Sequence, residues 1–205
     1  MRFTLAHDMN EKKRIIRVVP YDPSWPAKFE KEAKAISSIL GDLVVHVYHI
    51  GSTAVPDLKA KPVIDILLAV ADVIALDAHD TGMRSLGYTP KGEFGIPGRR
   101  FYLKGLYDRT HHVHAFNADS PDVKRHIAFR DYLIAHPSIA KDYGELKIRC
   151  ASECDNDNDK YCDGKDAFVR EHEQRAEEWM RCQSPAGDSK TRADGAASGT
   201  PEEGR

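Results

Sequence analysis

With 205 residues, 41% of them apolar and 30% charged, the chain can bury a core without disulfide or metal staples, which excludes a disordered polymer. Thirty basic against thirty-two acidic residues leave a net charge of −2, so the broad positive footprint of a general nucleic-acid binder is missing and any anion recognition is local. Charges occupy the first nineteen residues, where a secretory leader needs an apolar core, and no run approaches the roughly 20 apolar residues of a membrane span; a cytoplasmic protein without a membrane partner is expected.

Residues 1–14 read as a loose arm, with a short strand at Arg14 to Val19, and the folded body is expected over 15–182. Ser24 before Trp25-Pro26 is a helix start, and Phe29, Ala33, Ile36 and Leu40 recur at helical spacing until Gly41. Val44 to Ile50 is a β-branched, alternating strand that breaks at Gly51-Ser52. Residues 63–70 form an apolar run suited to a strand covered on both faces, interrupted only by Asp65. Asp72 to Leu86 predicts a helix capped by Asp72 and closed by Gly87. Arg100 to Lys104 and His111 to Phe116 predict a hairpin, completing a sheet core that ends near residue 118. From Ser120-Pro121 to residue 182 the pattern is helical, in three pieces broken near Pro137 and across Asp155 to Asp159. The order predicts an α+β fold, a mixed sheet flanked by helices with a helical C-terminal part. Cys150, Cys154, Cys162 and Cys182 match no metal-ribbon spacing and read as free thiols. Residues 183–205 contain no large apolar side chain from Ser184 onward, and their composition predicts a disordered tail.

Two clusters point to chemistry. A Gly51-Ser52 turn lets the backbone approach a ligand closely and can hold phosphate oxygens. An ionised Asp65 inside an apolar strand costs several kcal/mol unless a metal, a cation or hydrogen-bond donors meet it; Lys61 is one structural partner within reach. In Thr110-His111-His112-Val113-His114, strand alternation puts His112 and His114 on one face, where with Asp65 they can ligate one cation or serve as ordinary donors. Arg99, Arg100 and Lys104 precede the histidines and suit phosphate or carboxylate groups, or else a solvated strand end. Asp155-Asn-Asp-Asn-Asp159 lacks the glycine and glutamate of a calcium loop and reads as a solvated connection. Phe168, His172 and Trp179 read as core packing of the last helix.

The segment from His49 to Ile66 resembles the GrpB family of the nucleotidyltransferase superfamily, as do Val18-Val-Pro-Tyr-Asp-Pro-Ser-Trp-Pro, Gly95-Ile-Pro-Gly-Arg-Arg-Phe, Arg109-Thr-His-His-Val-His, Phe129-Arg-Asp-Tyr-Leu with His136-Pro, Tyr143 with Leu146-Lys147, and Gly164-Lys165 with Phe168. The resemblance implies a nucleotidyltransferase-like sheet with a cleft against the helical part. Gly51-Ser52 and Asp65 match the superfamily's turn and first acid; the candidate phosphate or substrate residues are His49, Gly51, Ser52, Lys61, Arg99, Arg100, Lys104, Lys147 and Lys165, and the candidate cation ligands Asp65, His112 and His114. The superfamily's second acid falls at Leu67, and the histidines stand where its third acid belongs. Tyr48, where the family often has an acid, and Asp57, where a glycine is usual, are departures of this chain.

The expected function is a metal-dependent nucleotidyltransferase-like enzyme in which Ser52 and Asp65 carry the chemistry. It would use magnesium, manganese or another transition metal, and would act on ATP or another nucleoside triphosphate and a small-molecule acceptor, with activation of a carboxylate for amide formation as a variant. A non-catalytic module binding a phosphorylated metabolite and a hydrolase with a His-His-Asp metal site are the alternatives.

Overall fold

The structure, a computed structural model, describes residues 15–183. The expected loose arm over 1–14 and the tail from Ser184 lie outside the described residues. Helix α1 (Trp25–Leu40) presents Trp25, Phe29, Ala33, Ile36 and Leu40 to the core. Its start is set by Asp22 rather than by a Ser24 cap, since the Ser24 backbone N–H and hydroxyl both donate to Asp22 Oδ1. Strands β1 (Val44–Ile50) and β2 (Ile64–Val70) follow. The segment expected as one helix over 72–86 is instead a 3-10 turn at Ala75–His79 and a short helix α2 (Asp80–Ser85). His79, Asp80, Thr81 and Gly82 are weak helix formers, so packing of Leu76 and Met83 decides the path. Strand β3 (Tyr88–Pro90) is too short to leave a sequence signal, and β4 (Arg100–Lys104) and β5 (His111–Asn117) form the expected hairpin. At the start of the body, only Val19 bridges, to Ala60.

The five strands form one mixed sheet in the order β1-β2-β5-β4-β3, with β2 and β5 parallel and the other neighbours antiparallel. Period-two alternation divides β2 between two layers. Ile64, Ile66, Leu68 and Val70 pack with Val113 and Ala115 against α1 and Met83. On the other face, Leu67 and Ala69 pack with Phe116 and Val123, the latter from helix α3 (Pro121–Ala135). Helices α4 (Pro137–Glu153) and α5 (Asn158–Gln183) complete the helical part around Leu58, Tyr132, Tyr143 and Ala176. Phe168 and Trp179 pack against that cluster, and His172 lies beside Phe168 and Tyr132. Pro137 and the left-handed Asp155-Asn156 corner make the two helix breaks. All four cysteines are free, with Cys150 and Cys154 buried beside Tyr161. Among the described residues no helix is long and apolar enough to cross a membrane.

Candidate functional site

At the end of β1 the chain turns at Gly51, whose φ of 67° belongs to the left-handed region. A Cβ there would also lie 2.6 Å from Asp65 Oδ2. The glycine therefore lets Asp65 stand directly against the turn that carries Ser52. Asp65 is in register with Ile50 on one side and His112 on the other, and Leu67 with His114, so both imidazoles share the carboxylate's face. His112 Nδ1 lies 3.1 Å from Asp65 Oδ1, and His114 Nε2 lies 3.7 Å from the same oxygen. One donor atom from each of the three residues lies within 4.8 Å of the others. Burial opposes ionisation of Asp65, but the hydrogen bond from His112 and the nearby His114 ring outweigh it and hold its carboxyl well below the usual range. Burial lowers the pKa of His114 against the pull of Asp65, favouring the neutral imidazole that ligates metals.

The donor set fits one cation. His112 Nε2 is buried without a hydrogen-bond partner, and two imidazoles with a carboxylate favour a transition metal over magnesium. A paired-cation site is not built, because Leu67 occupies the next position on this face and is wholly buried with Ile50 and Phe116.

The helical part supplies the opposite wall of a cleft of about 370 Å³. Lys147, on α4, is only 2% exposed. Its Nζ lies 2.7 Å from Ser52 Oγ and 4.4 Å from the Tyr143 ring centroid. Burial, then the charge of Lys165, brings its pKa down to about 7. Lys61 and Lys165 also line the cleft, with their Nζ atoms 4.4 and 5.9 Å from the Tyr161 ring centroid. Gly51, Ser52, Lys61, Asp65, His112, His114, Lys147 and Lys165 are thus brought together.

Four expected ligand-binding residues are placed otherwise. Alternation turns Arg100 and Lys104 to the α1 face of the sheet, where Arg100 forks onto Asp77 at 2.7 and 2.9 Å and Lys104 pairs with the buried Glu32 at 2.6 Å. His49 also faces that side, stacked on Phe29, and its Nε2 lies 2.9 Å from Thr53 Oγ1, so it braces the turn from behind. Arg99 is buried and donates to the carbonyls of Glu93 and Phe94, with Nη1 3.4 Å from His114 Nδ1. It ties the 91–99 loop to the histidine strand instead of offering a free fork.

Two basic groups in the cleft escaped the sequence reading. Arg109 has a buried Nε with no partner, and its position just ahead of the histidine run was the available signal. His126 on α3 has its ring centroid 5.6 Å from that of His114, and burial first, then His114, pushes its pKa down to about 3. Charged neighbours on α3 conceal it.

Comparison with known proteins agrees with this architecture. The family described as GrpB protein matches residues 15–175. The UPF0157 protein YqkA of Bacillus subtilis is 40% identical over 177 residues, which cover 86% of this chain and 52% of that protein. The chain thus spans about half the length of that relative, and the match to a Pseudomonas aeruginosa relative covers 64% of it. The glutamate-rich protein GrpB of Alkalihalophilus pseudofirmus is 31% identical, over 75% of this chain and 91% of that one. A dephospho-CoA kinase of Mycolicibacterium paratuberculosis is 28% identical, over 85% of this chain and half of the kinase. The crystal structure of the conserved protein GrpB from Enterococcus faecalis superposes with a TM-score of 0.78 at 42% identity, covering 80% of this chain and 99% of that one. With the matched region running from the first described residue nearly to the end of α5, and a solved GrpB structure sharing the fold, the chain belongs to the GrpB family.

Proposed function

We propose that the cleft binds a phosphorylated small molecule, in the first place a nucleoside triphosphate, beside one divalent cation and transfers a nucleotidyl group to a small-molecule acceptor. A carboxylate is one such acceptor, its activation preparing an amide. The observation that carries this reading is the Asp65–His112–His114 donor set standing against the Gly51-Ser52 turn, with the Lys147 side chain reaching Ser52 from across the cleft. A cation held there would act as a Lewis acid on phosphate oxygens. Ser52 and its turn hold the phosphate chain, while Lys61, Lys165 and Arg109 offset its charge from the other walls.

The similarity to dephospho-CoA kinases supports a nucleotide-handling setting only in outline. This chain has no GxxxxGK[ST] loop, so the phosphate-cradling device of P-loop kinases is not carried over. Leu67 in place of a second acid favours a second reading, a binding module for a phosphorylated metabolite without turnover.

Calorimetry with manganese and a panel of nucleotides and sugar phosphates tests the site. Binding to the wild type should require the metal, and Asp65→Asn, which keeps the shape and removes the charge, should abolish the metal-dependent part. Absence of binding across the panel, or equal binding by Asp65→Asn, would overturn the proposal. Binding without release of pyrophosphate for any acceptor tried would select the binding module.

A further inference from the structure

We infer that Ser52 and Lys147 form a nucleophile–base pair: Ser52 takes up the phosphorus-centred group of the bound ligand covalently, and Lys147 receives its proton. The inference rests on the phosphorylated-ligand reading above and adds a covalent step to it.

The geometry is that of a direct proton path, 2.7 Å from Nζ to Oγ, with Ser52 facing the cleft at the mouth of a tight turn. Lys147 differs from Lys104 and Arg125, the cations that share a buried setting with a carboxylate. Lys104 has Glu32, and Arg125 has Asp122 and Glu173. No carboxylate of the described residues lies within ion-pair distance of Lys147, and the charged groups that act on it are Lys165, Asp65 and Lys61. A buried ammonium without an acid is costly, so the neutral amine is favoured, consistent with a pKa of about 7. A neutral amine beside a hydroxyl is the arrangement of serine–lysine catalysis. The Tyr143 ring beneath Nζ and the hydrogen bond to Ser52 hold the amine in place.

In the step, Ser52 Oγ attacks phosphorus and its proton passes to the Lys147 amine. A Ser–O–P bond forms as the bond to the leaving group breaks. From a nucleoside triphosphate the leaving group is pyrophosphate, which departs with the bonding electron pair. Transfer onward reverses the roles: an acceptor carboxylate oxygen, which brings no proton, attacks the same phosphorus, the bond to Ser52 Oγ breaks, and the Lys147 ammonium returns the proton to Ser52.

A fluorophosphonate probe, which carries its own fluoride leaving group, tests the pair on the full chain without the natural ligand. The expected result is labelling at Ser52, located by peptide mass spectrometry, with a rate that rises with pH through about 7 and then levels. Lys147→Met, and Lys147→Arg, which keeps the charge but cannot act as a base at neutral pH, should each slow labelling by about tenfold or more. Labelling elsewhere, a rate flat with pH in the wild type, or wild-type rates in both Lys147 variants would overturn the inference and leave Lys147 as an anion-binding cation. The wild-type pH profile decides even where a variant fails to fold. Metal-dependent nucleotide binding without Ser52 labelling sinks only the covalent step, whereas labelling without such binding sinks only the metal–phosphate reading.

Discussion

Gly51 shows how one residue can serve backbone and site together. Its left-handed φ excludes most side chains on conformational grounds, and the approach of Asp65 Oδ2 excludes a Cβ on steric grounds. Gly51→Ala should therefore cost about 2 kcal/mol or more of stability and push Asp65 away from the two imidazoles. Urea unfolding reads the first effect and manganese binding the second. A variant as stable as the wild type with unchanged metal affinity would show that the turn adapts. Asp65 is the residue most fully explained by its neighbours, since the His112 hydrogen bond, with His114 close by, offsets the desolvation that an apolar strand imposes on a carboxylate.

At the scale of elements, alternation along β4 decides which way its basic groups point. Phe101 and Leu103 share the face of His114 and His112, and the Phe101 ring packs 4.9 Å from His114, so the intervening Arg100 and Lys104 must point to α1. Lys104→Met leaves Glu32 buried and uncompensated and should cost about 3 kcal/mol. Arg100→Ala breaks a pair whose acid is half exposed, so it should change stability by less than about 1 kcal/mol and leave nucleotide affinity unchanged. Thermal melts of both variants with calorimetry on the second check this. A clear loss of nucleotide binding in Arg100→Ala would place that arginine in the ligand's path after all.

For the whole molecule, the depressed Lys147 pKa becomes a dependence of stability on pH. Between an ordinary lysine at 10.5 and about 7 in the fold, the unfolded chain holds a proton that the folded chain does not, so stability falls as pH falls through that window. Below about 7 both states are protonated and the cost, on the order of 5 kcal/mol, is constant. Lys147→Met removes this slope, so it should be more stable than the wild type at pH 7, with the difference shrinking towards pH 9.5. Denaturant unfolding at the two pH values measures it, and parallel curves would mean that Lys147 titrates as an ordinary surface lysine. His49 adds a separate acid window, from 6.5 down to about 4, in which burial again makes the folded state resist protonation. That window should survive in Lys147→Met.

Local pattern by itself determined the large helices, the buried central strand, the hairpin, the parity of His112 and His114 and the anomaly of Asp65. Each of these depends on neighbours two to four residues away, and a 3.6- or two-residue period records them directly. The faces of Arg100 and Lys104 were open to the same alternation argument once the histidines were placed. Tertiary structure alone decided that β2 and β5 lie side by side, which brings a carboxylate at 65 to imidazoles at 112 and 114. It alone decided the meeting of Ser52 with Lys147, 95 positions apart, and the arrival of Arg109 and His126 in the same cleft. It also overrode the continuous helix expected over 72–86, where weak helix formers yielded to the packing of Leu76 and Met83. The physical reason is common to all of these: a side chain's desolvation and its partners depend on what the fold brings across space, and no local period encodes that.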